Sequence, residues 1–392
     1  MRALHLPGVP HGQESSFRFP SNPPTPSNLE YTAADYPEPR THTTDFSASS
    51  QHVYLIRVLL TALTRGELTW QEILEPARFQ QYGGAVPGHD VVGVVDKVFT
   101  SPKSGSEPKF SPGDKVWALL DFDRDGAAAT YTLVYEKELS LAPSNPNSST
   151  MADKSWEEQL ATLPLSALTA YQALFKHGRL PLSSPEPLPP PAALRKRVLI
   201  LGSAGSVGLP TLQLAKASGF PVIATCSSAS APLMMSLIDK TTDAVIDYTS
   251  EAYTSLPAAF VSQSLPPVDL VVDCIGGDTL STLLLTSTPA LNTIINPGGR
   301  VVTIVAPIKI YGPETAKAIQ GNCSRAGVDV DFFVVRPSGE ELDILAQWVT
   351  AGKLKGYVQE VFDLDHGRAA MELVEARGRR GGGKVVLRVA TQ

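Results

Sequence analysis

The clearest chemical signal in the chain is the run Val198-Leu199-Ile200-Leu201-Gly202-Ser203-Ala204-Gly205-Ser206-Val207-Gly208. An apolar strand enters a glycine-rich turn, and Leu209 to Ser218 continue as a helix. Pro210 falls in the first helical turn, where a missing N–H costs little. A turn of this kind holds phosphate. Glycines allow the tight bend and bring the backbone close to a pyrophosphate, and the helix N-terminus offers N–H groups and a positive dipole end. The spacing is G-x-x-G-x-x-G; the commoner dinucleotide pattern would put glycine where Ser203 stands. Ser203, Gly205, Ser206, Val207 and Gly208 are therefore read as a phosphate cradle, with a purely structural glycine turn as the alternative. The second strand ends Ala224-Thr225-Cys226-Ser227-Ser228. A coenzyme with a free ribose 2′-OH usually meets an acid here. Ser227 and Ser228 instead leave room for a 2′-phosphate, which favours NADPH over NADH, although Lys240 is the first cation downstream. Tyr248 is expected to stack on the adenosine end or to be an ordinary strand-end tyrosine.

Other chemistries are excluded by what the chain lacks. Its three cysteines, Cys226, Cys274 and Cys323, are too few for a disulfide framework or a four-thiolate zinc knot. Lys plus Arg number 33 and Asp plus Glu 39, so the net charge of −6 suits no nucleic-acid partner. No apolar run approaches the roughly 18–20 residues of a membrane span. The start, Met1-Arg2-Ala3-Leu4-His5-Leu6-Pro7, lacks the pattern of a signal peptide, so a cytoplasmic location is expected and Asn147 and Asn322 are chance glycosylation matches. No G-x-S-x-G run marks a serine hydrolase.

The cradle needs a sheet behind it, and the segment 198–335 supplies the pattern. Strand candidates are Val198–Leu201, Val222–Cys226, Ala244–Asp247, Val268–Asp273, Arg300–Val305 and Val328–Val334, with helical stretches between them. Most are apolar on both faces, as in a parallel sheet covered by helices, and the fold class is α/β with a doubly wound sheet. Before it, strands at 53–60, 91–98, 115–119 and 130–134, separated by Gly, Pro and Asp, predict a β-barrel or sandwich. Trp156 to Phe175 reads as one helix, and six prolines within 181–191 make a stiff loop. Residues 21–51, rich in Ser, Thr and Pro, read as an exposed insertion. The tail predicts helix 340–350, strand 357–362, helix 369–376 and strand 384–389, whose strands are expected to rejoin the N-terminal β unit.

Five ordered stretches carry a resemblance: Pro87-Gly88-His89-Asp90-Val91-Val92-Gly93-Val94-Val95, Gly113-Asp114-Lys115-Val116, Asp121 to Tyr131, Leu163 to Leu174, and Pro297-Gly298-Gly299-Arg300-Val301-Val302. The chain resembles the medium-chain dehydrogenase/reductase superfamily, on its zinc-free quinone reductase and enoyl reductase branch. The resemblance implies a GroES-like β-barrel domain at 1–165 completed by 338–392, and a Rossmann NADP-binding domain at 166–337. It implies hydride transfer from NADPH to a small-molecule substrate and a homodimer, for which Val328–Val334 is an apolar edge. Zinc-dependent relatives place a Cys where Thr64 stands here. No Cys precedes Cys226, so His89, Asp90 and Glu67 are the remaining donors and no metal is expected; His89 is read as turn packing.

Family correspondence puts Thr64, Glu67 and Trp70 at the nicotinamide end and Thr169 near the carboxamide. Phe122 and the loop to Gly126 fall by the substrate, and Val305, Pro307 and Lys384 by the coenzyme. Reduction of a conjugated C=C builds negative charge on an enolate oxygen, which preformed donors should meet. Thr64 and Arg124 are the candidate donors and Tyr131 the candidate proton source. The plainer roles are an ion pair of Arg124 with Asp123 or Asp125, strand packing for Tyr131, and a local network for Glu67. The expected activity is NADPH-dependent reduction of an enone, quinone or enoyl group. A zinc-dependent alcohol dehydrogenase and a non-redox nucleotide-binding sensor or scaffold are the alternatives.

Overall fold

The computed structural model describes residues 1–6, 25–34, 36, 39, 51–70, 86–122, 124–145, 154–182, 196–376 and 382–390. Most of the 21–51 stretch, most of the proline-rich loop and Asp123 lie outside the described residues. The chain forms two compact units: Met1–Leu168 with Arg336–Arg379 and Gly383–Gln392, and Thr169–Val335 with Arg380–Gly382.

The first unit is built on strands β1 (Ala3–His5), β2 (Glu30–Thr32), β3 (Val53–Leu63), β4 (Asp90–Phe99), β5 (Lys115–Leu119), β6 (Tyr131–Tyr135) and β7 (Leu139–Leu141). The helices α1 (Lys154–Ala161) and α2 (Pro164–Tyr171) follow, α2 running from the first unit into the second. The single helix expected over 156–175 is broken at Thr162–Leu163. Pro164 has no N–H to continue the helix and pushes the residue before it out of the α region. Beyond α2, Gln172–His177 form a π-helical turn.

The second unit holds β8 (Val198–Leu201), α3 (Gly208–Ala217), β9 (Val222–Cys226), β10 (Ala244–Asp247), β11 (Val268–Asp273), β12 (Ile295–Thr303) and β13 (Asp329–Phe332). All pairings are parallel, in the order β10-β9-β8-β11-β12-β13. This is the doubly wound Rossmann order, which gathers the carboxyl ends of β8, β9, β11 and β12 along one edge. Every residue of β8 and β9 is buried, as the two-faced apolar pattern requires.

The tail returns to the first unit through β14 (Val358–Asp363) and β15 (Lys384–Arg388). The resulting seven-stranded sheet runs β14-β15-β3-β4-β5-β7, with β6 also paired to β3. Val385 faces Leu63 and Val386 faces Ala62, so the chain's last strand lies against the end of β3. The GroES-like unit is thus made from both ends of the sequence.

Part of the 21–51 stretch departs from the exposed insertion expected of it. Glu30–Thr32 pairs with β1, Leu29 and Tyr36 are buried in the core of the first unit, and the Met1 ammonium donates to the carbonyls of Ala34 (2.9 Å) and Tyr36 (2.7 Å). Arg368 also donates to the Leu29 carbonyl. Two apolar anchors in a polar segment are enough to dock it, because each buried side chain of that size contributes about 1.5–3 kcal/mol.

Candidate active site

In the second unit, β8 runs straight into the glycine turn. Gly202 has φ +79°, a conformation that favours glycine, and a Cβ there would press 2.5 Å from Ile275. At Gly208 a Cβ would stand 2.2 Å from the Gly202 carbonyl oxygen, so only glycine lets α3 start this close to the strand. No side chain caps α3; Leu209 N–H bonds the Gly205 carbonyl at 3.0 Å and Pro210 has no N–H, so the N–H groups of Ser206, Val207 and Gly208 are the ones left for an anion. Ser203 does something else: its hydroxyl donates to the Thr225 carbonyl at 2.8 Å and is fully buried. It staples β8 to β9 and is not a phosphate ligand through its side chain. Gly205 is exposed, Ser206 half-buried, and Val207 buried at the helix start.

The ends of the neighbouring strands complete this edge. Ser227 is half-buried, and the exposed Ser228 donates through its hydroxyl to Asp247 at 2.5 Å. Thr249 donates to the same carboxylate from its N–H (2.9 Å) and hydroxyl (2.8 Å). These donors, Ser228 first, hold the Asp247 carboxyl below its ordinary value, so it is charged at neutral pH. Sequence reasoning saw only neutral serines here and missed this charge. Tyr248 is exposed beside it. On β11, Asp273 is buried and accepts from Ile275 N (3.1 Å), Gly276 N (2.9 Å) and the Thr303 hydroxyl (2.7 Å). Burial pushes its carboxyl up. It thereby fixes the turn against which Val305 packs. Ile275 and Val305 are both 46% exposed, apolar surface at the strand ends where doubly wound sheets take ligands. Pro307 follows half-buried, and Thr169 is buried on α2.

In the first unit the chemistry gathers where β3 ends and β4 and β15 begin. Thr64 follows β3, and its N–H donates to Glu67 Oε1 at 3.2 Å. Glu67 is only 5% exposed, and its other oxygen accepts from Gly88 N at 3.3 Å, so the carboxylate holds the loop as a network residue. Lys384 opens β15 and is 3% exposed. Its ammonium pairs with the fully buried Asp90 and donates to Thr64 Oγ1 at 2.9 Å. Asp90 Oδ1 accepts from Leu165 N at 2.7 Å. Trp70, His89 and Phe122 stand beside this group as three rings in mutual contact, with centroids 4.9 to 5.6 Å apart. His89 is buried, and its Nδ1 lies 3.6 Å from Glu67 with no hydrogen bond among the described residues.

The structure therefore brings together Thr64, Glu67, Trp70, Phe122 and Lys384. It does not bring in Arg124 or Tyr131. The Arg124 guanidinium pairs with the buried Glu138, donates from Nε to the Leu133 carbonyl at 3.3 Å, and lies 5.0 Å over the Tyr135 ring. Its fork is spent on holding the β6–β7 corner, so the oxyanion-donor role is set aside; its partner is Glu138, and Asp125 accepts from Val86 N. Tyr131 faces Arg57 on β3, seven residues before Thr64, which is roughly 20 Å of extended strand. It packs in the strand and is no proton donor to this site.

Comparison with known proteins shows which chains this one is similar to. The profile of a family described as "Zinc-binding dehydrogenase" matches residues 242–387. The chain is 34% identical over 342 residues to a "Probable zinc-binding oxidoreductase, mitochondrial" of Arthroderma benhamiae, covering 86% of this chain and 88% of that one. It is 27% identical to the "Trans-enoyl reductase pgmF" of Aspergillus terreus, with 86% of each chain covered. Among solved structures, the quinone oxidoreductase from Coxiella burnetii superposes with a TM-score of 0.67 at 22% identity, covering 100% of this chain and 99% of that one.

The word zinc in these names sets a test for the residues. Zinc takes thiolate, imidazole or carboxylate donors in a tetrahedron. Here Asp90 is committed to Lys384 and Leu165 N, and a buried ammonium beside Thr64 repels a dication. No three His, Cys, Asp or Glu side chains among the described residues stand close enough to share an ion. These donors do not fit zinc. The glycine cradle, uncapped helix and strand-end edge of the second unit do fit a dinucleotide.

Proposed function

Starting from the fact that the chain belongs to the medium-chain dehydrogenase/reductase superfamily of NAD(P)H-dependent oxidoreductases, we propose that it reduces a conjugated C=C, in an enone, enoyl group or quinone, without zinc. The observation that carries this reading is the buried Lys384–Asp90 pair at Thr64, which puts a fixed cation where a zinc-dependent relative would need metal ligands. When bound, the coenzyme supplies the hydride; the protein supplies orientation and charge stabilisation.

On this reading the backbone N–H groups of Ser206, Val207 and Gly208 hold the diphosphate; the Gly205 N–H is bound to the Gly202 carbonyl at 3.0 Å, and Gly205, exposed and without a side chain, lets the diphosphate approach. Thr169, Val305 and Pro307 line the nicotinamide end of the second unit. In the first unit Trp70 and Phe122, with His89, present an apolar wall suited to a flat conjugated substrate. Glu67 keeps the Thr64 loop in place. We assign NADPH as coenzyme on Ser227, Tyr248 and the open 2′ end, with Asp247 limiting its advantage over NADH. The edge strand β13, paired only to β12 among the described residues, is proposed to pair with a second copy, which the solution mass would show. No helix among the described residues is long and apolar enough to cross a membrane. Cytosolic placement is proposed against a relative named as mitochondrial, and imaging of the tagged full chain decides between them.

The direct test incubates the purified protein with NADPH and a panel of α,β-unsaturated ketones, enoyl thioesters and quinones, with zinc measured on the same sample. Coenzyme oxidation with substoichiometric zinc is expected. Stoichiometric zinc, or a panel without oxidation above background, overturns the reading.

A further inference from the structure

We propose that Lys384 takes the place of a metal ion in this site. Its ammonium holds and polarises Thr64 Oγ1, so that the Thr64 hydroxyl donates to the carbonyl oxygen that gains charge as the conjugated substrate is reduced. The proposal rests on the reductase reading above and goes further, in giving Lys384 a role through Thr64 in place of a direct coenzyme contact.

A threonine hydroxyl has one hydrogen to give and two lone pairs to receive. Lys384 Nζ donates to Thr64 Oγ1 at 2.9 Å, so one lone pair is taken by a cation and the hydrogen remains to be given. Among the described residues that hydrogen has no acceptor. The Thr64 N–H is already bound to Glu67, so the hydroxyl is the group that loop can offer. Lys384 and Asp90 are buried while Thr64 is half-buried, which makes Thr64 the outermost residue of the three and the one a ligand reaches.

Donation from an ammonium makes the hydroxyl a stronger donor, because hydrogen bonds in series polarise one another, the more so in a low dielectric. Asp90 cannot swing away to weaken this, since its second oxygen is bound to Leu165 N at 2.7 Å. The ligand class that this arrangement recognises is a carbonyl oxygen on its way to becoming an enolate. No atom is transferred by these three residues. Thr64 keeps its proton, and one hydrogen bond tightens as charge accumulates on the substrate oxygen. Thr64 is then the catalytic residue, Lys384 a positioning residue and Asp90 its counter-charge.

The test uses the full chain as wild type, Thr64→Val, Thr64→Ser and the paired swap Lys384→Met with Asp90→Asn. The pair is changed together because removing Lys384 alone strands a buried carboxylate, whereas asparagine can still accept from Leu165 N. Two readouts are taken. One is NADPH-dependent reduction of methyl vinyl ketone, with NADPH affinity measured by fluorescence. The other is binding of para-nitrophenolate, an oxyanion probe followed by its absorbance, with NADP⁺ present.

Thr64→Val should lower kcat by about a hundredfold, and Thr64→Ser should restore most of it. The paired swap should lower kcat by about tenfold, and adding Thr64→Val to it should cost less than it does alone, since the residues act in series. NADPH affinity should stay within about twofold throughout, while nitrophenolate binding weakens in both Thr64→Val and the paired swap. Wild-type turnover in Thr64→Val, or equal nitrophenolate binding in all variants, overturns the proposal. So does a swap that weakens NADPH binding at unchanged kcat, which would make Lys384 a coenzyme contact. An inactive wild type whose nitrophenolate binding still follows the expected pattern would remove the reductase reading and keep the polarised hydroxyl.

Discussion

At the carboxyl ends of β8, β11 and β12, what is offered to a ligand is backbone, small side chains and exposed apolar groups. Where β3 ends and β4 and β15 begin, it is a buried ammonium, two buried carboxylates and a hydroxyl. The first edge is built for shape. Glycines let the chain come close, and the N–H groups of Ser206, Val207 and Gly208 stand ready for an anion without a charged side chain. The second works by charge that has been taken out of water and paired. Buried charges are costly unless fully partnered, so each one there is tied to a named donor or acceptor. The lesson concerns vulnerability. An added methyl should damage the first edge, whereas a removed charge should damage the first unit.

The largest expected effect tests the charge side. Arg124→Ala leaves the fully buried Glu138 without its cation and should destabilise the protein by about 3–5 kcal/mol. Urea unfolding followed by tryptophan fluorescence measures it. An unchanged midpoint with a large fall in kcat would instead return Arg124 to the oxyanion-donor role.

On the shape side, Gly208→Ala drives a methyl into the Gly202 carbonyl. Coenzyme affinity should fall by up to roughly a hundredfold, an overpacking cost of a few kcal/mol. Calorimetry with NADPH reads this directly, and wild-type affinity would mean that the cradle is only a structural turn.

Asp247→Asn sharpens the comparison, because Asp247 puts a carboxylate beside Ser228, where the proposed function places the ribose end of the coenzyme. Its carboxyl sits below the usual range and is ionised at neutral pH, so it opposes a 2′-phosphate. Removing the charge should raise the NADPH-to-NADH preference in kcat/KM by about tenfold. No change in that ratio would place the 2′-phosphate elsewhere. The smallest effect is expected for Tyr131→Phe, whose turnover should stay within about twofold of wild type; a loss of a hundredfold would restore it as proton donor.

Local signals were legible in the sequence and distant ones were not. Val198–Leu201, Val222–Cys226, Ala244–Asp247 and Val268–Asp273 appear at the expected residues, because β-branched runs flanked by Gly and Pro leave few other solutions. The two-unit architecture followed from that alternation and from the resemblance. For Arg124 the sequence offers an oxyanion-donor role or an ion pair with its chain neighbours Asp123 and Asp125, whereas its partner Glu138 is 14 residues away across a corner. Lys384 and Asp90 are separated by 294 residues, so no window on the sequence shows their pairing. Leu29 and Tyr36 were hidden by the polar composition around them. Thr64 came from family correspondence alone, and its donor chemistry became readable only once Lys384 lay beside it.

The central claim is hydride delivery to a conjugated carbon without metal. It is tested most directly with chelator-treated protein and NADPH deuterated at the transferable position, using methyl vinyl ketone as substrate. The account predicts full turnover and a saturated ketone carrying deuterium on the β-carbon. An allylic alcohol with deuterium on the carbonyl carbon, or activity that is lost on chelation and returns with zinc, would contradict it.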